Sequence, residues 1–141
     1  MINAPNELSY DDISIGQQES FMIKITASMV EKFSNLSGDL NPLHMDNEFA
    51  ESSSFKKRIV HGMLLASFFS QLIGMKLPGK NALYFSQTLN FRSPCYIDDE
   101  IEVVGEVIEK SDSTQIITLS TTIFNKSKTC LIDGIAKIIV R

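Results

Sequence analysis

Residues 63 to 77, MLLASFFSQLIGMKL, are apolar around nearly the whole circumference of a helix. A helix with this pattern is stable only where protein surrounds it on most sides. The segment is too short to cross a bilayer, and Ser67, Ser70 and Gln71 interrupt its apolar surface. It therefore predicts a buried central helix that closes at Leu77-Pro78-Gly79, around which the rest of the chain must wrap.

The other apolar segments mostly follow the period of β-strands. Phe21, Ile23 and Ile25 recur at every second position, which predicts a short strand ending at Thr26. Further strands are predicted over residues 83–91, 100–109, 114–125 and 129–140, with turns at 110–113 and 125–128. One strand followed by helices and then by strands alone cannot form a doubly wound sheet. We predict an α+β fold in which an antiparallel sheet wraps around one buried helix.

Between the first strand and the central helix, the chain is predicted to form one helix and a polar loop. The helix starts at Thr26 or Ser28, ends at Gly38 and places four apolar residues on one face: Met29, Val30, Phe33 and Leu36. Residues 39–58 are polar and irregular, with a turn at Asn41-Pro42 and with Asp46 as a cap for one or two helical turns around Phe49 and Ala50. Polar loops of this kind often carry chemistry.

Composition and charge exclude several classes of protein. A chain of 141 residues suits one domain, predicted over residues 1–141, and excludes a two-domain Rossmann enzyme. Its net charge of −4 makes nucleic acid an unexpected partner. Cys95 and Cys130 have no CxxC spacing, which favours neither a disulfide framework nor a cysteine zinc site and is typical of a reducing cytoplasm. Residues 1–7 lack the features of a secretory signal, and no membrane partner is expected.

Candidate chemistry is concentrated in the polar loop, because the chain's two histidines, His44 and His61, lie in it or beside it. Asp39 and His44 are five residues apart, so on a continuous helix they would point about 140° away from each other. They can converge only if the chain bends between them, and Asn41-Pro42 supplies such a bend. A turn-capping aspartate beside a structural histidine is the alternative interpretation.

The second histidine precedes the central helix in the segment RIVHGM. Gly62 would then lie at the helix N-terminus, where free N–H groups favour a negative charge on an oxygen. A plain glycine at a corner between loop and helix is the alternative. A metal site built from Asp39, His44, Asp46 and His61 can also be considered, but no HExxH-type spacing occurs and nothing in the sequence indicates that these side chains face one another.

Together these two segments resemble the MaoC-type dehydratases, a family that includes the (R)-specific enoyl-CoA hydratases. The segment DLNPLH at residues 39–44 is similar to the family's D-x-N-P-[IL]-H signature, and IVHGM at residues 59–63 is similar to its second block. The resemblance extends from about residue 12 to the C-terminus, through residues 77–80 and 91–94. It implies a hot dog fold, which is an antiparallel sheet of about five strands around a long central helix. Within the family, the chain most resembles the bacterial single-domain hydratases.

The resemblance also implies a reaction, the addition of water across the double bond of an enoyl thioester with no cofactor and no metal. Asp39 and His44 would form the acid–base pair around one water, Asn41 would help to position that water, and the Gly62 N–H would stabilise charge on the thioester oxygen. The substrate would be a thioester of coenzyme A or of an acyl carrier protein, and the resemblance implies that Ser70 makes a supporting hydrogen bond to it. His61 is predicted as a further substrate contact. The charge of Lys56, Lys57 and Arg58 predicts contact with the phosphates of coenzyme A or with the acidic surface of the carrier protein. For the three basic residues, a solvated turn is the alternative.

Two other functions remain open at this point. The hot dog fold also hosts thioesterases, which would release a free thiol, and a silent acyl-thioester-binding module would bind without turnover. We further predict a homodimer or an assembly of dimers, because a small sheet around one helix leaves a strand edge exposed.

Overall fold

The apolar segment predicted as the central helix is helical from Gly62 to Lys76 and lies against one antiparallel sheet. The structure is a computed structural model that describes residues 3–141, so Met1 and Ile2 of the predicted domain lie outside the described residues. The helices are α1 (Ala27–Ser37), α2 (Pro42–Met45), α3 (Asn47–Ser52) and α4 (Gly62–Gln71). The strands are β1 (Gln18–Lys24), β2 (Ala82–Gln87), β3 (Asn90–Phe91), β4 (Glu100–Ser111), β5 (Ile116–Asn125) and β6 (Cys130–Val140).

The central helix is buried on most of its surface, as predicted, and continues beyond α4 as a wider π turn from Leu72 to Lys76. Leu72 packs over β4 at Gly105, where a Cβ would lie 2.7 Å from the Leu72 Cδ2 atom. One face of α4 stays exposed, and it carries Met63, Ser67, Ser70 and Gln71. In the described part of the chain, no helix combines the length and the apolar character needed to span a membrane.

The sheet is antiparallel in the order β1-β4-β5-β6-β2, and β3 also pairs with β6. Inward-facing residues of the three long strands are fully buried, as alternation of apolar residues predicts: Ile101, Val103, Leu119, Ile123, Ala136 and Ile138. This α+β arrangement of a sheet around one helix is the predicted hot dog fold.

The predicted strand over residues 83–91 is divided into β2 and β3, which makes six strands where about five were predicted. The division occurs at Thr88, which crosses β6 closely at Gly134. A Cβ on Gly134 would lie 1.8 Å from the Thr88 carbonyl oxygen. Thr88 is held there by its own hydroxyl, which accepts a hydrogen bond from the Ile135 N–H at 2.8 Å. The pattern of apolar residues along the sequence does not predict a close backbone crossing of this kind.

Helix α1 departs from the prediction in one respect. Thr26 is its N-cap and Gly38, with φ of 81°, ends it. Leu36, however, is 87% exposed, whereas Ser34 is fully buried. The face predicted for Met29, Val30, Phe33 and Leu36 is therefore only partly buried, because α1 turns its Ser34 side toward His61 at the start of α4.

The polar loop is more regular than predicted. Asn41-Pro42 is not a turn but the start of α2, with Pro42 at its first position and the Asn41 Oδ1 accepting a hydrogen bond from the Leu43 N–H at 2.9 Å. Asp46 caps α3, as predicted, by accepting hydrogen bonds from the Glu48 and Phe49 N–H groups.

Candidate active site

Asp39 and His44 are brought together by two helix ends. Helix α1 stops at Gly38 and α2 starts at Pro42, so Asp39 lies in the short bend between them. The Asp39 Oδ1 atom accepts a hydrogen bond from the Asn41 N–H at 3.2 Å, which holds the carboxylate beside the start of α2. The bend between Asp39 and His44 is therefore a capped helix start, and Asn41 supplies the cap.

The hydrogen bonds of His44 determine which of its ring nitrogens is free for chemistry. Its Nδ1 lies 2.7 Å from the Ile59 carbonyl oxygen, which can only accept a hydrogen bond. Nδ1 therefore carries the proton, and Nε2 keeps a lone pair that can take a proton from water. The Arg58 Nε donates to the His44 carbonyl oxygen at 2.6 Å, so Arg58 supports the main chain that carries this ring.

His61 completes a cluster with Asp39 and His44, whose ligand-type atoms all lie within 4.8 Å of one another. The rings of His44 and His61 stack, with centroids 3.9 Å apart and planes at 27°. His61 is 2% exposed and does not line the cavity of about 420 Å³ beside Gly62, although it was predicted to contact substrate. Burial lowers the pKa of His61, so its ring is held neutral.

Within residues 3–141, these three residues also form a group that could hold a metal ion. Asp46, the fourth residue of the metal alternative, instead caps α3. In both histidines one ring nitrogen is already hydrogen-bonded to a main-chain carbonyl, Ile59 for His44 and Asp39 for His61. This leaves a carboxylate beside a basic imidazole nitrogen, an arrangement that serves proton transfer.

Gly62 is the first residue of α4 and lines a cavity of about 420 Å³. At this position no earlier carbonyl of the helix can accept a hydrogen bond from the Gly62 N–H. The helix dipole also favours a negative charge near this end of α4. The ring of Phe91 lies directly over Gly62, since a Cβ there would be 2.5 Å from the Phe91 Cδ1 atom. Glycine is therefore required here for close packing, and its N–H is presented at the wall of an apolar cavity.

Ser70 is not brought into this cavity. It lies two turns further along α4, about 12 Å from Gly62 along the helix axis, on the exposed face. There it lines a separate groove of about 400 Å³ with Phe33 and Tyr84, and Met63 lines both spaces. Burial raises the pKa of Tyr84 to about 12, so its hydroxyl stays protonated at neutral pH.

Lys56, Lys57 and Arg58 form a basic turn that lies outside the cluster of Asp39 and the two histidines. This turn lines a third groove of about 620 Å³. Lys56 and Lys57 are exposed, and the Lys57 Nζ lies 4.8 Å from the centroid of the Tyr96 ring. Arg58 also lines this groove but is committed to the His44 carbonyl.

Three residues of the site were missed by the sequence reasoning. Ser34 and Met45 contact each other and flank the cluster, and Phe91 covers Gly62. For Phe91, its place in the segment that resembles the family was an available signal. For Ser34, the available signal was weaker, a small polar residue one turn before the end of an amphipathic helix.

Comparisons with known proteins agree with this geometry. Residues 13–128 match the protein family described as MaoC like domain. The chain is 39% identical over 127 residues to an (R)-specific enoyl-CoA hydratase of Aeromonas caviae, covering 90% of this chain and 95% of the relative. It is 36% identical over 131 residues to an (R)-specific enoyl-CoA hydratase of Rhodospirillum rubrum, covering 93% of this chain and 90% of the relative.

A solved structure is similarly close. The unliganded R-hydratase PhaJ1 from Pseudomonas aeruginosa superposes with a TM-score of 0.92 at 33% identity, covering 96% of this chain and 87% of that chain. The family match spans both signature segments and most of the sheet. The chain belongs to the MaoC-like family.

Proposed function

We propose that this chain is an (R)-specific enoyl-CoA hydratase, a hydro-lyase that also runs in reverse as a 3-hydroxyacyl-thioester dehydratase. The observation that carries the proposal is the meeting of the DLNPLH segment with the start of α4. It places Asp39 and His44 in one cluster with His61, the residue next to Gly62. The names of two relatives that match nearly the whole chain support the same reaction and stereochemistry.

The chemistry of hydration needs two proton-transfer groups near one water. Water must lose a proton as it attacks the β carbon, and the α carbon must gain one. The His44 Nε2 lone pair and the Asp39 carboxylate can each take the proton that water loses, and the group protonated in this way can then deliver a proton to the α carbon. Because the Asn41 Oδ1 caps α2, only its Nδ2 group remains to hold the water.

The thioester oxygen becomes negatively charged as water adds. The Gly62 N–H, at the positive end of α4 and on the wall of the 420 Å³ cavity, is suited to stabilise that charge. The cavity walls are largely apolar, with Phe55, Leu65, Pro94 and Leu131 among them, which suits an acyl thioester and strengthens the N–H contact.

A panel of trans-enoyl-CoA substrates of increasing chain length tests the reaction and the acyl preference together. Loss of the conjugated ultraviolet absorbance is expected, and it should survive a metal chelator because protein groups supply the proton transfers and the oxyanion contact. Release of free thiol would instead identify a thioesterase. Binding without turnover would identify a silent binding module and contradict the proposal.

The basic turn is proposed to contact the phosphates of coenzyme A or the acidic surface of an acyl carrier protein. Exchanging both Lys56 and Lys57 for Gln should raise KM for an enoyl-CoA by roughly 2- to 10-fold with little change in kcat, because exposed ion pairs are weak. The matched control is an enoyl N-acetylcysteamine thioester, which has no phosphates, and its KM should not change. Equal effects on both thioesters would contradict this contact. Arg58 is left intact because it holds the His44 carbonyl.

A homodimer is proposed to form at the β2 edge of the sheet. This edge strand exposes two large apolar side chains, Leu83 and Phe85, and an unpaired apolar edge is normally covered. Pairing with the β2 strand of a second copy around a two-fold axis covers both edges at once. Residues 1–141 are proposed to form one hot dog domain in each copy.

Light scattering at micromolar concentration should give about twice the 15.8 kDa mass of one chain, or a multiple of the dimer. Phe85→Glu should dissociate the assembly, because it places a charge in the apolar contact. Met22→Glu is the matched control, since Met22 is similarly exposed but lies on β1 at the opposite edge. A monomer mass for the unaltered chain would rule the dimer out.

A further inference from the structure

We infer that His61 is a positioning residue that fixes Asp39 and His44 relative to each other and to Gly62. The inference rests on the proposed function but assigns His61 no contact with substrate. His61 is the N-cap residue of α4, directly before Gly62, and it is almost fully buried. Its side chain contacts the main chain of Asp39 through a hydrogen bond and the ring of His44 through a stack.

The hydrogen bond joins His61 to the main chain that carries Asp39. The His61 Nε2 lies 3.2 Å from the Asp39 carbonyl oxygen and 3.0 Å from the Ser34 Oγ. A carbonyl accepts only, so Nε2 carries the proton. Ser34 is consistent with this assignment because its hydroxyl donates to the Met45 Sδ at 3.0 Å, which leaves the oxygen to accept from Nε2. Helix α1, the Asp39 bend and α4 are thereby joined at one nitrogen.

The ring of His61 is held between two other rings. His44 stacks on it at 3.9 Å, and Phe33 of α1 meets it edge-on with centroids 4.9 Å apart. Any rotation of His61 would therefore displace His44. Because Asp39 is itself exposed and lies in a bend, the bond from the His61 Nε2 is a direct restraint from the buried core on its position.

His61 is also suited to remain neutral. Its Nδ1 is buried and has no hydrogen-bond partner within residues 3–141, so a proton placed there would find no acceptor. The titratable groups that face the ring are His44, which opposes a positive charge, and Asp39, whose favourable contribution is smaller than the effect of burial. A residue that holds one proton on Nε2 and resists a second serves as a fixed donor and not as a proton carrier.

The free energy of unfolding should depend on pH because His61 stays neutral in the folded chain. Below about pH 6.5 the unfolded chain protonates His61, whereas the folded chain resists protonation, so the free energy of unfolding should fall as pH decreases from that value. Asp12 and Asp133, whose pKa values are lowered from 3.8 by hydrogen bonds, contribute losses only at more acidic pH. His61→Gln should lack the part of the slope that begins near pH 6.5, as measured by denaturant unfolding at each pH.

Two amide variants separate positioning from simple packing. The amide nitrogen of Gln can occupy the place of the imidazole Nε2, whereas the shorter Asn side chain reaches only the place of Nδ1. Under the inference, His61→Asn lowers kcat by roughly tenfold, the effect of one lost hydrogen bond, while KM for an enoyl-CoA stays within a factor of about 2. His61→Gln retains most of the turnover. Equal kcat for the two folded variants and the unaltered chain would overturn the inference.

A spectroscopic readout keeps the inference testable apart from activity. Because the chain has two histidines, ¹⁵N NMR of the imidazoles should show two ring systems, and one should disappear in His61→Gln. That ring is expected to carry its single proton on Nε2 at neutral pH and to resist protonation as the pH falls below the usual histidine range. A proton on Nδ1 at neutral pH would overturn the positioning role whether or not the chain hydrates enoyl-CoA, because Nε2 could then not donate to the Asp39 carbonyl oxygen. Absence of turnover in the unaltered chain would defeat only the proposed function.

Discussion

Asp39→Asn and His44→Gln should each lower turnover of an enoyl-CoA by roughly 10²–10⁴, the usual effect of removing a positioned general acid or base. Asn keeps the shape of Asp39 but cannot exchange a proton, and Gln keeps a hydrogen-bonding group without the imidazole. KM should change little, because neither group is assigned to the coenzyme A portion. Asp46→Asn is the matched control, since Asp46 caps α3 and Asn caps helices equally well.

The two substitutions should also be strongly coupled. Asp39 and His44 are proposed to act on the same water, so removing the second group after the first should cost much less than it does in the unaltered chain. The double variant should therefore be sub-additive in activation free energy. Penalties that add in full would contradict the shared water. Near-normal turnover in folded single variants, checked by circular dichroism, would remove the mechanism altogether.

Gly62→Pro should lower turnover by roughly 10²–10³ relative to Gly62→Ala, the effect of losing one oxyanion donor. Both variants place a Cβ where it would meet the Phe91 ring, at 2.5 Å in the unaltered structure, so both must displace that ring. Only Pro also removes the N–H, and Pro is tolerated at the first position of a helix. The comparison therefore separates the hydrogen bond from the crowding.

The steady-state rates of the two Gly62 variants, with thermal unfolding of each, measure this difference. Placing both in a Phe91→Leu background relieves the shared crowding and keeps the comparison open if the single variants fold poorly. Equal kcat for folded Ala and Pro variants would show that the Gly62 N–H does not stabilise the transition state.

Much of the fold follows from local patterns that sequence periodicity reports well. The central helix was predicted because residues 63–77 are apolar around nearly the whole circumference of a helix, and the strands were predicted because their apolar residues alternate. Leu36 and the break at Thr88 were not predictable in this way. Each depends on a contact between elements distant in the chain, namely α1 against α4 and Thr88 against Gly134. Local patterns do not contain such contacts.

The candidate site shows the same division. The residues of the two signature segments could be predicted because each segment is continuous in the chain. The way in which they meet could not, because it depends on His61 reaching Ser34 on α1 and on the stack with His44. The separation of Ser70 from the Gly62 cavity likewise depends on which face of α4 is covered. Sequence spacing alone does not determine that face.

The stereochemistry of the product is the most direct test of the proposed function. A trans-enoyl-CoA is incubated with the unaltered protein, and the 3-hydroxyacyl-CoA product is collected. Chiral chromatography of its 3-hydroxyacyl group then separates the two enantiomers. Formation of the (R)-3-hydroxyacyl-CoA, with no free thiol released, is the result expected of an (R)-specific hydratase that belongs to this family. Formation of the (S) product, or release of free coenzyme A in its place, would contradict it.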